Sequence, residues 1–339
     1  MITLASMKKK VALGIDIGGT NTAFGLADEQ GRCLNDESFP TWAHQSFARF
    51  FERVAEKIDA MLARIPQEYE LIGIGVAAPA GNYYQGTIDA PSNFCWGKVE
   101  LVRLMTEHYH LPIAITNDAN AAALGEMMYG QAKHMQNFIV VTLGTGLGSG
   151  IVVNGDLIYG HDGLAGELGH TLVEPDGREC GCGRHGCLEM YVSSRGICRT
   201  VFELLAQRLD DSELRQISFN ELTAEKVYEA AQRDDALARA AFEYTGRILG
   251  RALADAVACF GPAIIIIFGG LARAGPLLFE PAQRSFENNL LHVYKGKIKI
   301  VPSSVPKCNI AVLGACALIQ KEIEKMNGAA RQTPKAPPA

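Results

Sequence analysis

An apolar run from Val11 to Ile17 ends in Gly18-Gly19, and Thr22 to Ala27 resumes the apolar pattern before a polar turn at Asp28 to Arg32. This predicts a strand, a glycine turn and a second strand. The layout returns at Phe138 to Leu143, followed by the glycines of GTGLGSG (Gly144 to Gly150), by Ile151 to Val153, and by a turn at Asn154-Gly155-Asp156. Two similar hairpins half a chain apart predict an internal duplication.

Between and after the hairpins the period changes. Phe47 to Leu62 carries apolar residues at helical spacing, and Leu71 to Val76 (LIGIGV) reads as a buried strand. A helix near Val99 to Tyr109, a short strand at Ile113 to Thr116 and a helix opening at Asp118 complete a βββαβαβα half. The second half holds helices at Ala224 to Ala231 and Leu237 to Phe260, then a strand at Ala263 to Phe268 closed by Gly269-Gly270. A helix at Phe279 to Leu290, a strand at Ile298 to Val301 and a final helix at Ile310 to Ile323 follow. Strands alternating with helices over short connections predict a duplicated α/β architecture of two domains flanking a cleft.

Composition narrows the class. A chain of 339 residues, 48% hydrophobic and 20% charged, has the size of roughly two globular domains. Its 32 Lys and Arg against 37 Asp and Glu give a net charge of −5, so no global positive field favours nucleic acid or an anionic membrane. Apolar runs such as Ala263 to Phe268 fall far short of the ~20 residues a bilayer demands, and no charged start precedes a cleavable apolar core. A cytoplasmic protein is expected. The segment before Met7 carries no structural pattern, and Gly328 to Ala339 has almost nothing to bury, so a disordered tail is expected.

The glycine turns carry the first candidate chemistry. In GIDIGGTNTAFG, Asp16 ends a strand before Gly18, Gly19, Thr20 and Asn21. Glycine lets backbone N–H groups approach a phosphate, Thr20 and Asn21 can add donors, and Asp16 can hold a hydrated Mg²⁺; a tight hairpin that merely needs glycine is the plainer reading. Gly144, Thr145 and Gly146 repeat the setting without a carboxylate, which fits a second phosphate cradle. Gly269 and Gly270 open a third glycine step after a buried strand, where a base or ribose can lie against bare backbone. Asp118, following Asn117 at the start of an alanine-rich helix, reads either as a helix cap or as a carboxylate able to accept a proton from an attacking hydroxyl.

Nine cysteines are too few for a disulfide scaffold, and three of them crowd into eight residues. His170, Cys180, Cys182 and Cys187 read H-x9-C-x-C-x4-C, with Gly181, Gly183 and Gly186 allowing the backbone to fold around an ion. Cys₃His is a closed tetrahedral set, so structural Zn²⁺ is expected, against the alternative of buried reduced thiols. Glu167 and Glu189 flank this knot, either as solvated charges or as acceptors for neighbouring sugar hydroxyls.

Together GIDIGGTN, NDANAAALGE, LGTGLGSG, GLAGELGH, CGCGRHGCLE and FGG resemble the sugar kinases of the ROK family (repressor, open reading frame, kinase), within the actin-like ATPase superfamily. The resemblance spans about Lys8 to Ala317. It implies a ribonuclease H-like duplicated fold whose domains close on ATP, Mg²⁺ and a hexose, with hinges near residues 130 to 136 and before the last helix. It divides the chain into a small domain at 7–132 plus 309–326, a large zinc-binding domain at 133–308, and a tail at 327–339. Carried over by residue, Asp118 resembles the catalytic base, and Asn117, Glu167, His170 and Glu189 match sugar-contacting positions, His170 serving the zinc as well. Gly81 in APAG and Asn93 resemble further sugar contacts, although the usual Pro-Asn pair here reads Pro91-Ser92-Asn93.

The resemblance implies transfer of the γ-phosphoryl of ATP to the 6-hydroxyl of a hexose, glucose above all, by a homo-oligomer, dimer or tetramer. Kinases of N-acetylhexosamine or N-acetylmannosamine, of fructose or of allose share the motifs, and a non-catalytic sugar sensor is the rival from another class. The family's repressors carry an N-terminal helix-turn-helix arm; with its first strand beginning by Val11, this sequence leaves no room for one, so no nucleic-acid binding is expected.

Overall fold

The first hairpin forms as the apolar pattern dictates. β1 (Lys9–Ile17) and β2 (Asn21–Asp28) pair antiparallel with Gly14 opposite Gly25 and Asp16 opposite Ala23. β3 (Cys33–Pro40) extends the meander as a polar strand that alternates between exposed and half-buried positions, as suits the edge of a sheet. α1 (Phe47–Leu62) buries Phe50, Val54, Ile58 and Met61 on one face, and its crossover allows β4 (Tyr69–Ala77) to run parallel to β1. A small sheet of β5 (Gly81–Asn82), β6 (Thr87–Asp89) and β7 (Lys98–Val99) and then α2 (Leu101–Tyr109) lead to β8 (Ile113–Thr116), parallel to β4, and to α3 (Asp118–Tyr129). The computed structural model describes residues 8–91, 94–304 and 309–332.

The second sheet repeats the first. β9 (Phe138–Leu143), β10 (Leu147–Val153) and β11 (Asp156–Leu157) form an antiparallel meander. The helices α4 (Ser194–Gln207), α5 (Ala224–Gln232) and α6 (Ala236–Phe260) precede β12 (Ile264–Phe268), which is followed by α7 (Pro276–Asn289) and β13 (Lys299–Pro302). The strand orders are β3-β2-β1-β4-β8 and β11-β10-β9-β12-β13, with antiparallel and parallel pairs in the same places, so the duplication holds strand by strand. α7 starts three residues before the predicted Phe279, because Pro276 occupies its first turn, where a missing N–H costs nothing.

The final helix, α8 (Ile310–Gln332), lies on the first sheet at backbone distance. A Cβ at Gly14 would stand 2.1 Å from the Val312 carbonyl oxygen, and one at Gly75 would stand 1.8 Å from that of Ala315. Only glycine permits this approach. Among the described residues, no helix is long and apolar enough to cross a membrane.

The described residues divide into two compact units, one drawn from those up to 133 with 159–165 and those from 309 on, and the other from 134–158 with 166–304. Two expected boundaries change. Residues 159–165, assigned by sequence to the second body, pack in the first: Tyr159 stacks on Tyr83 at 4.2 Å, and the buried Asn82 donates from Nδ2 to the Asp162 carbonyl at 2.9 Å. Where a tail was expected from 327, the helix runs on to Gln332, since alanine, arginine and glutamine favour helix and outweigh the single Gly328.

Candidate active site

In the first unit the turn between β1 and β2 is closed by Gly18 N–H donating to the Asn21 carbonyl at 3.0 Å. Gly19, Thr20 and Asn21 are exposed, and a Cβ at Gly19 would meet nothing within 4 Å, so bare backbone faces open space. Thr41, fully buried just beyond β3, fixes this turn from behind. Its N–H donates to the Thr20 carbonyl at 2.8 Å and its hydroxyl to the Gly18 carbonyl at 2.6 Å. Asp16 stands half-buried at the end of β1 and accepts from Asn309 Nδ2 at 2.8 Å. Burial pushes its carboxyl up to about 6; the Asn309 bond opposes that rise and the charge of Asp118 adds to it. A half-buried carboxylate beside an open glycine turn suits a hydrated Mg²⁺ carried by a polyphosphate.

Asn117 and Asp118 separate into two roles. Asn117 is the cap of α3, its side-chain oxygen accepting the Asn120 N–H at 2.7 Å. Asp118 is therefore not the cap but the first helical residue, with one oxygen accepting the Ala119 N–H at 2.9 Å. Its side chain reaches solvent, yet protein surrounds the carboxyl closely enough for desolvation to hold its pKa above the ordinary carboxylate range, against the Ala119 N–H. Both descriptions fit a recessed side chain that an approaching hydroxyl can still reach. Gly81 is buried nearby, where a Cβ would stand 2.5 Å from the Thr116 carbonyl oxygen, so it packs against the residue that precedes Asn117. Asn93 lies outside the described residues.

In the second unit Gly144 N–H donates to the Gly146 carbonyl at 3.0 Å, and Thr145 is exposed at the tip of the turn. A Cβ at Gly144 would meet nothing within 4 Å. Glu189 reaches this turn: its Oε2 accepts the Leu147 N–H at 2.9 Å, and a Cβ at Gly146 would fall 2.2 Å from that oxygen. One carboxylate oxygen is thus committed to backbone. The third glycine step combines Gly269, at φ +113 against the Leu143 carbonyl, with Gly270, whose Cβ position is open. Gly270 lines a cavity of about 390 Å³ with Tyr228, Phe242, Arg273 and Ser194, apolar on its walls and large enough for a nucleoside.

His170, Cys180, Cys182 and Cys187 converge in this unit, their ligand atoms all within 4.8 Å of one another. Cys180 Sγ lies 3.7 Å from His170 Nδ1, and Cys182 Sγ lies 3.6 Å from Cys187 Sγ. A tetrahedral zinc with Zn–S bonds of about 2.3 Å sets its ligand atoms roughly 3.8 Å apart, so the donor set fits the ion. Glu167 is exposed immediately before the 3₁₀ turn Leu168–His170, which carries the histidine ligand.

Sequence reasoning missed Asn309, Thr41 and Tyr228. Their contacts with Asp16, the first glycine turn and the Gly270 cavity are tertiary, and no local pattern marks them.

The ROK family model matches residues 12–322. This chain belongs to the ROK family. It is 34% identical to a glucokinase of Halalkalibacterium halodurans over 285 residues, covering 83% of this chain and 86% of that one. The crystal structure of a ROK family glucokinase from Streptomyces griseus, in complex with glucose and AMPPNP, superposes with a TM-score of 0.77 at 30% identity, covering 92% of this chain and 99% of that one. A xylose repressor of Caldicellulosiruptor bescii is 28% identical over 314 residues, covering 91% of this chain and 77% of that one. The duplicated fold is that of the family's sugar kinases, within the actin-like ATPase superfamily.

Proposed function

We propose that this chain is an ATP-dependent hexose kinase acting on the 6-hydroxyl of glucose. The observation that carries this reading is Asp118, a recessed carboxylate of raised pKa that the Asn117 cap leaves uncommitted to ending its helix. The glucokinase of H. halodurans and the glucose and AMPPNP complex of the S. griseus enzyme support the substrate pair.

Asp118 accepts the proton of the hexose 6-hydroxyl as that oxygen bonds to the γ-phosphorus and the bond from the γ-phosphorus to the β-phosphate oxygen breaks. The products are ADP and hexose 6-phosphate. Transfer of this kind needs little covalent help, so positioning and charge stabilisation dominate. The backbone of Gly18–Thr20 and Gly144–Gly146 cradles phosphates, and the cavity at Gly270 takes the base and ribose. Asp16 would be the residue that holds Mg²⁺, which would spread the charge of the triphosphate. Glu167 and the free oxygen of Glu189 accept from sugar hydroxyls, with Asn117 Nδ2, Gly81 and Asn93 as further contacts. His170, Cys180, Cys182 and Cys187 would hold a structural Zn²⁺, which would order the loop between Glu167 and Glu189.

An assay of ADP release against glucose, N-acetylmannosamine, fructose and allose tests the reading. Turnover with glucose in excess of the others supports it; preference for another hexose replaces glucose. The similarity to a repressor keeps a sugar sensor as the rival, and glucose binding without ADP release would establish that rival.

A further inference from the structure

Strand β10 does more than carry a glycine turn. Side chains two apart on a strand share a face, and Leu147 and Ser149, both buried, occupy one face of β10. Ser149 stands between Gly148 and Gly150 with a hydroxyl that a buried strand has no packing reason to hold. That hydroxyl donates to the Gly166 carbonyl and accepts the Leu168 N–H at 3.2 Å. The two partners are the residues on either side of Glu167. One residue further on, a Cβ at Gly169 would stand 2.2 Å from the Leu147 carbonyl oxygen, so the loop sits against the strand at backbone distance. Gly166 holds φ +95, a conformation that glycine adopts freely and other residues rarely do.

We propose that Ser149 is a positioning residue for Glu167, fixing its backbone from both sides so that its carboxylate meets the sugar hydroxyls; this rests on the role given to Glu167 above. The Leu147 N–H holds Glu189 from the same strand. β10 is then the common ruler on which both sugar carboxylates and the Gly144–Gly146 turn are measured. Because the Ser149 hydroxyl is buried and its two bonds go to the backbone on either side of Glu167, its loss acts on the sugar through Glu167.

The test compares Ser149→Ala, Glu167→Ala and the double variant in full-length, zinc-loaded protein. Ser149→Ala should raise the glucose KM by about tenfold while the ATP KM stays within about twofold and the zinc content stays at the wild-type ratio. In the double variant the serine change should add almost nothing to the glucose KM of Glu167→Ala, a coupling that a merely structural serine would not produce. A wild-type glucose KM in Ser149→Ala beside a raised one in Glu167→Ala overturns the proposal and leaves the role of Glu167 standing. Equal rises in both KM values with loss of zinc also overturn it, as general damage to the unit. A silent Glu167→Ala removes the role of Glu167 and the proposal with it.

Discussion

Asp118→Asn is the substitution whose consequences the structure fixes most narrowly. The cap of α3 is Asn117, so helix initiation is untouched. The amide oxygen of an introduced asparagine can keep the Ala119 N–H bond that Asp118 makes at 2.9 Å. Removing a carboxylate from a helix N-terminus costs about 0.3–1 kcal/mol, while relief of its desolvation and of its repulsion with Asp16 acts in the opposite direction. Stability should therefore change by less than about 1 kcal/mol. The amide cannot take the proton of the sugar hydroxyl. Loss of a general base is worth about 10²–10⁴ in rate, or roughly 2.7–5.5 kcal/mol of barrier. The assay is steady-state ADP release at saturating ATP, with glucose affinity measured by calorimetry on the same preparations. A fall in kcat of at least about 100-fold with glucose affinity kept is expected. The raised pKa also places the acid limb of wild-type kcat above the ordinary carboxylate range, because activity is lost as Asp118 gains a proton; that limb should be missing from the variant. A variant that turns over at nearly the wild-type rate would refute proton acceptance by Asp118.

Further outcomes follow from neighbouring residues. In metal-free protein the carboxyl of Asp16 is raised from 3.8 to about 6, so the folded chain binds its proton more tightly than the unfolded chain, and the stability this provides below about pH 4 is lost as pH rises through about 6. Asp16→Asn should then stabilise the metal-free protein by roughly 1–2 kcal/mol near pH 7 and by almost nothing near pH 4, measured by urea unfolding; the reverse order would show that burial does not govern this carboxyl. Cys182→Ser should lose the zinc by elemental analysis and raise the sugar KM more than the ATP KM, whereas retained zinc would remove Cys182 from the ligand set. Gly146→Ala puts a methyl 2.2 Å from Glu189 Oε2 and should raise the glucose KM by about tenfold with zinc retained; an unchanged KM would mean that the Leu147 N–H does not hold Glu189 in place.

Much of the fold was legible because both hairpins and the long helices announce themselves by period. The strand Ile113–Thr116 and the helix Phe47–Leu62 fall where the pattern puts them. The βββαβαβα order leaves a place for β3 but no residues could be given to it, because an edge strand needs no apolar face and CLNDESFP reads as loop. α4 was passed over although Ile197, Val201, Leu204 and Leu205 recur at helical spacing and pack on the core, so its period was legible in the sequence. In the site, the residues proposed to make chemistry were visible: the glycine turns, Asp16, Asp118 and the candidate metal ligands all stand in short motifs. The residues that hold them in place were not, since Thr41, Ser149 and Asn309 act on partners far away in sequence. The placement of residues 159–165 rests likewise on Tyr83 and Asn82, some 80 residues earlier.

Transfer of phosphate from ATP to the 6-hydroxyl of glucose is the proposed reaction. It is tested by ADP release in the presence of Mg·ATP with glucose or with 6-deoxyglucose, the product's phosphate located by NMR. Sugar-dependent ADP release with glucose, phosphate on the 6-oxygen and silence with 6-deoxyglucose are the predicted result. Glucose binding without ADP release, or phosphate on any other oxygen, would contradict it.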